Sequence, residues 1–305
     1  MEERKAFHSG FVTIVGRPNV GKSTLVNTLV GEKIAIVSQK PQTTRSRIMG
    51  VVTRDDWQMV LLDTPGIHTP RNRLGNYMMQ SVKDAMDGMD LVVAVVDAHQ
   101  VGKQDRAICE DMAQKKVPKI LCLNKIDLME KEELLGLIAS FSEGVFAEHP
   151  FDAIIPISAK TGDGMKELEE AVASRLPEGP KYFPDDMMTD QPERLIVAEM
   201  IREKALLHLR DEVPHGIGVE IMGMNKESDH FMEIHATIYC EREAHKGIII
   251  GKHGAMLQQI GTEAREDIEK LLDLHVNLKL WVKVRPDWRN RIEDLRNLGY
   301  EEKKG

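Results

Sequence analysis

Gly16-Arg17-Pro18-Asn19-Val20-Gly21-Lys22-Ser23 decides how this chain is read. The octet fits the phosphate-loop pattern G-x-x-x-x-G-K-[ST], and it stands where that pattern has to stand. Before it, Phe11-Val12-Thr13-Ile14-Val15 is a short apolar run of strand character. After it, Thr24-Leu25-Val26-Asn27-Thr28-Leu29-Val30 has helical spacing and stops at Gly31. The glycines let backbone N–H groups turn toward phosphate oxygens, and the helix N-terminus adds partial positive charge beneath them. Lys22 is placed to reach the terminal phosphates, and the Ser23 hydroxyl to ligate Mg²⁺. A chance glycine turn could match the octet, but it would not supply the strand before it and the helix after it.

Outward from this loop, strand-like and helical stretches alternate to about residue 176. Residues 48–52 and 59–62 flank Arg54-Asp55-Asp56 as a hairpin. Residues 91–96, 120–123 and 154–157 are nearly continuous apolar runs, the mark of parallel strands buried on both faces. Leu74, Met78, Val82, Ala85 and Met89 recur every three or four residues as one helical face, and their methionines read as core. The alternation predicts a doubly wound α/β domain that binds ligands at the carboxyl ends of its strands.

Polar motifs fall at those ends. Residues 59–62 run into Asp63-Thr64-Pro65-Gly66. Near a phosphate loop such an Asp holds Mg²⁺, usually through water, and the Gly66 N–H can approach a γ-phosphate with no side chain in the way. Residues 120–123 run into Asn124-Lys125-Ile126-Asp127. The Asp127 carboxylate can accept from N1–H and the 2-amino group of guanine, a donor pair adenine lacks. Asn124 and the Lys125 stem can buttress base and loop. Residues 154–157 precede Ser158-Ala159-Lys160, where a backbone N–H near Ala159 would meet guanine O6; alone this triplet is the weakest motif. Between the first helix and the hairpin, residues 38–47 form a polar, Pro-containing loop. A threonine there could ligate Mg²⁺ only when a γ-phosphate is present, which would make the loop a switch. Together the motifs turn the reading from an ATPase to a GTPase.

Composition limits the alternatives. At 305 residues the length favours two domains, and 42% hydrophobic with 30% charged residues describes a globular chain with ample core. No apolar run is long enough to span a bilayer, and Met1-Glu2-Glu3-Arg4-Lys5 opens no signal peptide. The 3 cysteines, Cys109, Cys122 and Cys240, fit no metal spacing and read as reduced core thiols of the cytosol. The 11 histidines form no metal or triad constellation. A net charge of −8 argues against nucleic acid only until a local basic face is found.

The second half has a different rhythm. Residues 176–186 are rich in Pro and Gly and read as a linker. Residues 193–209 are helical, and 218–224 form a strand. Residues 232–240 and 276–284 alternate with period two, as strands do. Ile248-Ile249-Ile250 leads into Gly251-Lys252-His253-Gly254, and a further helix follows with Leu257, Ile260, Ala264, Ile268 and Leu271 on one face. The order α-β-β-α-α-β with a G-x-x-G loop between two helices is that of a type II KH fold. Such a loop clamps a sugar–phosphate backbone, with Lys252 supplying charge and base edges lying along an apolar groove through Ile248, Ile249 and Ile250. A lone G-x-x-G would be an ordinary helix–helix turn; the fold order lifts it above that. Lys246, Lys252, Arg265, Lys279, Lys283, Arg285, Arg289 and Arg291 offer a local basic surface, some of it simply solvated. The tail 286–305 mixes Arg with Glu and Asp; its Arg-rich part extends the basic surface, and its last residues are expected to fray.

In motif content and order the chain resembles the translation-factor-like GTPases, and most of all the Era family, over nearly its whole length. The resemblance implies a GTPase domain over 1–176, a linker over 177–192, a type II KH domain over 193–285 and a tail over 286–305. Residues 16–23, with Thr24, match the family's phosphate loop, and 42–46 its Gln-Thr-Thr-Arg switch. Thr44 then fits the Mg²⁺ threonine, with Thr43 the alternative. Asp63–Gly66 match the second switch, Asn124–Asp127 the base motif and Ser158–Lys160 the last motif. Ile67 stands where Ras-like proteins carry a water-orienting glutamine, so slow intrinsic hydrolysis is expected. Relatives with an Asn at the position of Asn19 use it to help bind K⁺, which could supply charge stabilisation. Lys22, Thr44, Asp63 and Gly66 are thus the expected catalytic groups; no side chain is assigned as general base. The resemblance further implies a monomeric, cytoplasmic GTPase that acts in 30S subunit assembly, with its KH domain on the single-stranded 3′ end of 16S rRNA and no DNA partner. Family members are also found at the membrane surface, so any membrane association would be peripheral. The competing reading is a signalling or cell-cycle GTPase at the membrane whose KH-like domain binds protein.

Overall fold

The continuous apolar runs become strands covered on both faces. The computed structural model describes residues 6–38, 40, 43–67, 70, 72–211 and 213–300. Six strands form one sheet: β1 (His8–Val15), β2 (Ile48–Thr53), β3 (Trp57–Asp63), β4 (Leu91–Asp97), β5 (Lys119–Asn124) and β6 (Ala153–Ile157). Their spatial order is β2-β3-β1-β4-β5-β6, with β2 antiparallel to β3 and every other pair parallel. Interleaved are helices α1 (Lys22–Val30), α2 (Arg73–Met86), α3 (Lys103–Ala113), α4 (Lys131–Ser140), the single turn α5 (Val145–Glu148) and α6 (Met165–Ala173). Strand β2 shows the double winding. Met49 and Val51 share a cluster with Ala85 of α2. Gly50, pointing the other way, lies under α1, where an added Cβ would sit 2.8 Å from Val30. On β4, residues 91–96 are all buried, which is why neither face of that strand carries a polar residue before Asp97 closes it.

The second sheet has three strands, β7 (Gly218–Ser228), β8 (Phe231–Cys240) and β9 (His275–Val284), with β8 antiparallel to β7 and parallel to β9. Helices α7 (Glu193–His208), α8 (Glu243–Ile250) and α9 (Ala255–Leu272) supply the rest of its core. Ile201, Ile234, Ala236, Ile238, Ile260 and Ala264 are fully buried together. The order α7-β7-β8-α8-α9-β9 is the expected α-β-β-α-α-β.

The chain divides into two compact units. One comprises Met1–Ile34, Ser46–His68 and Met79–Asp190; the other comprises Ala35–Arg45, Thr69–Met78 and Gln191–Gly305. Two short stretches of the N-terminal half therefore group with the C-terminal unit. The Pro-rich stretch read as a linker is also not loose. Ser9 donates its backbone N–H to Pro177 and its hydroxyl to Pro180, Val51 N–H donates to Met188, and the rings of Phe11 and Tyr182 lie 5.3 Å apart. It is a strap along the first unit, held because Gln58 satisfies its backbone groups.

The charged tail folds as well. Past β9, a short turn and α10 (Ile292–Asn297) bury Trp288, Leu295, Leu298 and Tyr300. Arg285 pairs with Asp294 at 2.9 Å and Arg289 with Glu241 at 2.6 Å, so these arginines do not extend a basic surface as expected. The spacing of the apolar residues was hidden by the charges between them. The expected fraying of residues 301–305 and the charged start 1–5 lie outside the described residues. Among the described residues no helix is long and apolar enough to cross a membrane.

Candidate functional site

The parallel register sets β1 and β3 level, Ile14 opposite Asp63, so the phosphate loop and the Asp63 motif leave the sheet side by side. The Thr64 hydroxyl donates to Ile14 O at 2.7 Å, and Ile67 N–H to Gly16 O. Three glycines are there for space. A Cβ on Gly16 would lie 2.3 Å from the Val95 carbonyl, and one on Gly66 2.6 Å from Pro18. On Gly21, at φ 101°, it would lie 2.2 Å from Asn124 Nδ2. Asn19 adopts φ 66°, a left-handed value that asparagine tolerates.

Lys22 is buried and curls back, donating to the carbonyls of Gly16 at 3.1 Å and Arg17 at 3.0 Å. Burial pushes its ammonium down to about 8, against the raising effect of Asp63. Burial pushes the Asp63 carboxyl up to about 6, offset by Lys22 and by the Ser23 hydroxyl. One Asp63 oxygen accepts from Ser23 Oγ at 2.7 Å, and the other has no partner among the described residues. A buried carboxylate oxygen without a partner, beside a serine hydroxyl, fits a hard divalent cation that completes its shell with phosphate and water. The Arg17 side chain does not turn to this pocket; it pairs with the buried Asp105 at 2.7 Å.

The base motif is braced against the same loop. Asn124 donates from Nδ2 to Val20 O at 2.8 Å and accepts at Oδ1 from Ala159 N–H at 3.0 Å. Lys125, at φ 69°, reaches Asn19 O at 2.9 Å and Asp97 at 2.6 Å. The exposed Asp127 accepts from Ser158 Oγ at 2.7 Å. The expected contact of the Ala159 N–H with a base carbonyl therefore has to share that donor with Asn124 or come from a neighbour such as Lys160. Two participants were not singled out in the sequence. Asp97 holds Lys125, and the Thr28 hydroxyl donates to Ala159 O at 2.8 Å. Asp97 was findable: it closes β4 in register with Asn124 closing β5.

Thr43 and Thr44 are both buried, and both belong to the second unit. The Thr43 hydroxyl donates to Lys40 O at 2.6 Å. Gln42 of the expected switch lies outside the described residues. Ile67 packs at the edge of the core around α3, and its carbonyl accepts from Gln104 at 3.2 Å.

In the second unit the G-x-x-G loop closes α8 and opens α9. Gly251 has φ 73°, His253 φ 53° and Gly254 φ 82°. A Cβ on Gly251 would lie 2.7 Å from Met256. Lys252 and His253 are exposed, as are Ile248 at the end of α8 and Lys283 on β9. Ile249 corrects the expected groove. It is fully buried in the core, because consecutive helical residues point about 100° apart and three of them cannot share one face. Lys279 is bound to Glu233 at 2.6 Å and is likewise not open charge.

A family described as 50S ribosome-binding GTPase matches residues 11–125, and the KH domain family matches 212–289. The chain is 52% identical over 300 residues to GTPase Era of Ruminiclostridium cellulolyticum, covering 98% of this chain and 99% of the relative. It is 52% identical to GTPase Era of Clostridioides difficile, over 97% of this chain and all of the relative. Among solved structures it resembles Era in complex with MgGDPNP and nucleotides 1506–1542 of 16S ribosomal RNA. The TM-score is 0.90 and the identity 40%, over 97% of this chain and 100% of that one. The same values hold for a variant of Aquifex aeolicus Era bound to GDP.AlF4⁻.

Proposed function

The chain belongs to the Era family of GTPases, and from that premise we propose that it hydrolyses GTP to GDP and phosphate and binds the single-stranded 3′ end of 16S rRNA in maturation of the 30S subunit. The observation that carries the guanine assignment is the brace at Asn124, which ties the phosphate loop to the loop that would hold the base. Lys22 and the Gly66 N–H face charge that develops on the transferred phosphoryl group. Ser23 and Asp63 would hold Mg²⁺, which would supply charge neutralisation at the phosphates. Thr44, or Thr43, would join them when a γ-phosphate is present. Asp127 selects guanine. Ile67 cannot orient water, so intrinsic turnover is slow, and K⁺ held with the help of Asn19 would offset part of that deficit. A hydrolysis rate unchanged when Na⁺ replaces K⁺ would refute the ion.

On the RNA side, Gly251, Lys252, His253 and Gly254 clamp the backbone, with Ile248, Ile250 and Lys283 beside the bases. We place this activity in the cytoplasm, with any membrane association peripheral and the chain monomeric. Two titrations test the reading. Asp127→Asn should weaken GTP about a hundredfold and favour xanthosine triphosphate. A 3′-end rRNA oligonucleotide should bind with steep salt dependence and lose affinity in Lys252→Asp and Gly251→Asp; binding indifferent to salt and to both changes would remove the RNA assignment.

A further inference from the structure

Within the first unit, the loop that carries Ser158-Ala159-Lys160 leaves β6, the last strand of its sheet, so that strand has a neighbour on one side only. Inside the loop, Ser158 N–H donates to Asp163 O at 2.9 Å and Gly162 N–H to Ser158 O at 2.8 Å. These bonds shape the turn; its place beside the base site depends on bonds to other segments. Ser158 Oγ donates to Asp127, and Ala159 N–H donates to Asn124 at 3.0 Å, both residues of the base motif. A tie of different origin comes from α1, where the Thr28 hydroxyl donates to Ala159 O at 2.8 Å. Both backbone polar groups of Ala159 are thereby fastened, one to the base motif and one to the helix that the phosphate loop opens. Close packing does not duplicate the second tie. Thr28, Gly162 and Met165 line a cavity of about 850 Å³ that extends to Arg54 and Trp57 of the hairpin.

Resting on the GTPase reading above, we propose that Thr28 is a positioning residue for the guanine base, and that its hydroxyl slows release of the nucleotide. Helix α1 begins at Lys22, so Thr28 stands on the same helix as the groups that would meet phosphate. Its bond to Ala159 O joins the phosphate end of the site to the base end without passing through Asn124 or Asp127. Release of the base moves the 158–160 loop away from it, and that motion takes Ala159 O from Thr28. A bond broken on the way out raises the barrier to release and leaves association nearly unchanged. The hydroxyl has one hydrogen and two acceptors within reach, Ala159 O and Thr24 O, the latter at 2.9 Å. Thr24 O lies inside α1 and takes a helical backbone N–H in any case, which leaves the hydroxyl to Ala159 O. Neither phosphate nor Mg²⁺ takes part in this bond, so GDP and GTP are retained by it equally.

The test loads the full chain with fluorescent GDP in Mg²⁺ and chases it with excess unlabelled GDP in a stopped flow. Thr28→Val removes the hydroxyl and keeps the branched shape. It should raise the GDP dissociation rate about fivefold, the size expected of one net hydrogen bond. A fluorescent non-hydrolysable GTP analogue should leave faster by the same factor, while the single-turnover rate of GTP cleavage stays within about twofold of the parent. Thr28→Ser restores the hydroxyl and should restore the parent dissociation rate. Thr28 is exposed, so neither change disturbs the core. A Thr28→Val dissociation rate within about twofold of the parent overturns the proposal. So does an equal rise in Thr28→Ser, which would assign the effect to the shape of the side chain, or a rise confined to one of the two nucleotides, which would assign it to the phosphate end. A parent chain that holds no guanine nucleotide would instead remove the GTPase reading, and the loading step shows that before any variant is compared.

Discussion

At the scale of single residues, the site is a matter of groups kept from water and of the side chains that would not fit. Lys22 at about 8 and Asp63 at about 6 give opposite pH dependences in the free chain. The folded state keeps a proton on Asp63 that the unfolded chain sheds from 3.8 upward, so this group's contribution to stability falls as pH rises to about 6. Lys22 loses its proton at about 8 when folded and at 10.5 when unfolded, so its contribution rises with pH across that window. Phosphate favours the ammonium and Mg²⁺ the carboxylate. Nucleotide binding should therefore take up a proton above pH 8, and Mg²⁺–nucleotide binding should release one below pH 6. Calorimetry in buffers of differing ionisation enthalpy reads both, and a proton number of zero on both sides would contradict the burial of this pair. The isoleucine run gives a second contrast. Ile249→Ala should cost about 3 kcal/mol of stability in a denaturant melt. Ile248→Ala, half exposed, should leave the melt in place and weaken RNA binding instead.

At the scale of elements, the strand ends do the assembling. Strands β1, β3, β4 and β5 are parallel and in register, so their carboxyl ends deliver Gly16, Asp63, Asp97 and Asn124 to one edge of the sheet. In the strap over residues 177–190, one side chain makes three of the bonds to the sheet. Gln58, itself fully buried, donates to Phe183 O and accepts from the N–H groups of Tyr182 and Phe183, so its amide is satisfied only while the strap lies on the sheet. Gln58→Ala should destabilise the first unit by about 2 kcal/mol and open the strap to protease. An unchanged melting temperature and cleavage rate would show the strap to be a plain linker after all. From sequence the stretch reads as a linker because Pro and Gly mark irregular backbone. Irregular backbone can still be fully bonded.

At the scale of the whole chain, two ligands acting on one equilibrium must act on each other equally. If the GTP-analogue form binds the 3′-end RNA about tenfold more tightly than the GDP form, RNA must tighten the analogue relative to GDP by the same factor. Titrations in both directions measure it, and equal RNA affinity of the two forms would mean that the units work independently. Composition, period and motif order were sufficient for the two folds and for where residues 16–23, 124–127 and 251–254 fall between their strands and helices. Each is a local pattern, readable from neighbours in the chain, and a loop of defined glycine spacing between a strand and a helix has few other uses. What needed tertiary structure is whatever depends on distant residues. Asp97 as the partner of Lys125, the burial of Ile249, the pairing of Arg285 and Arg289 with acids, and the grouping of residues 35–45 with the C-terminal unit all arise from packing between segments. Burial and charge pairing are properties of what lies across the interior, and one-dimensional spacing carries no record of it.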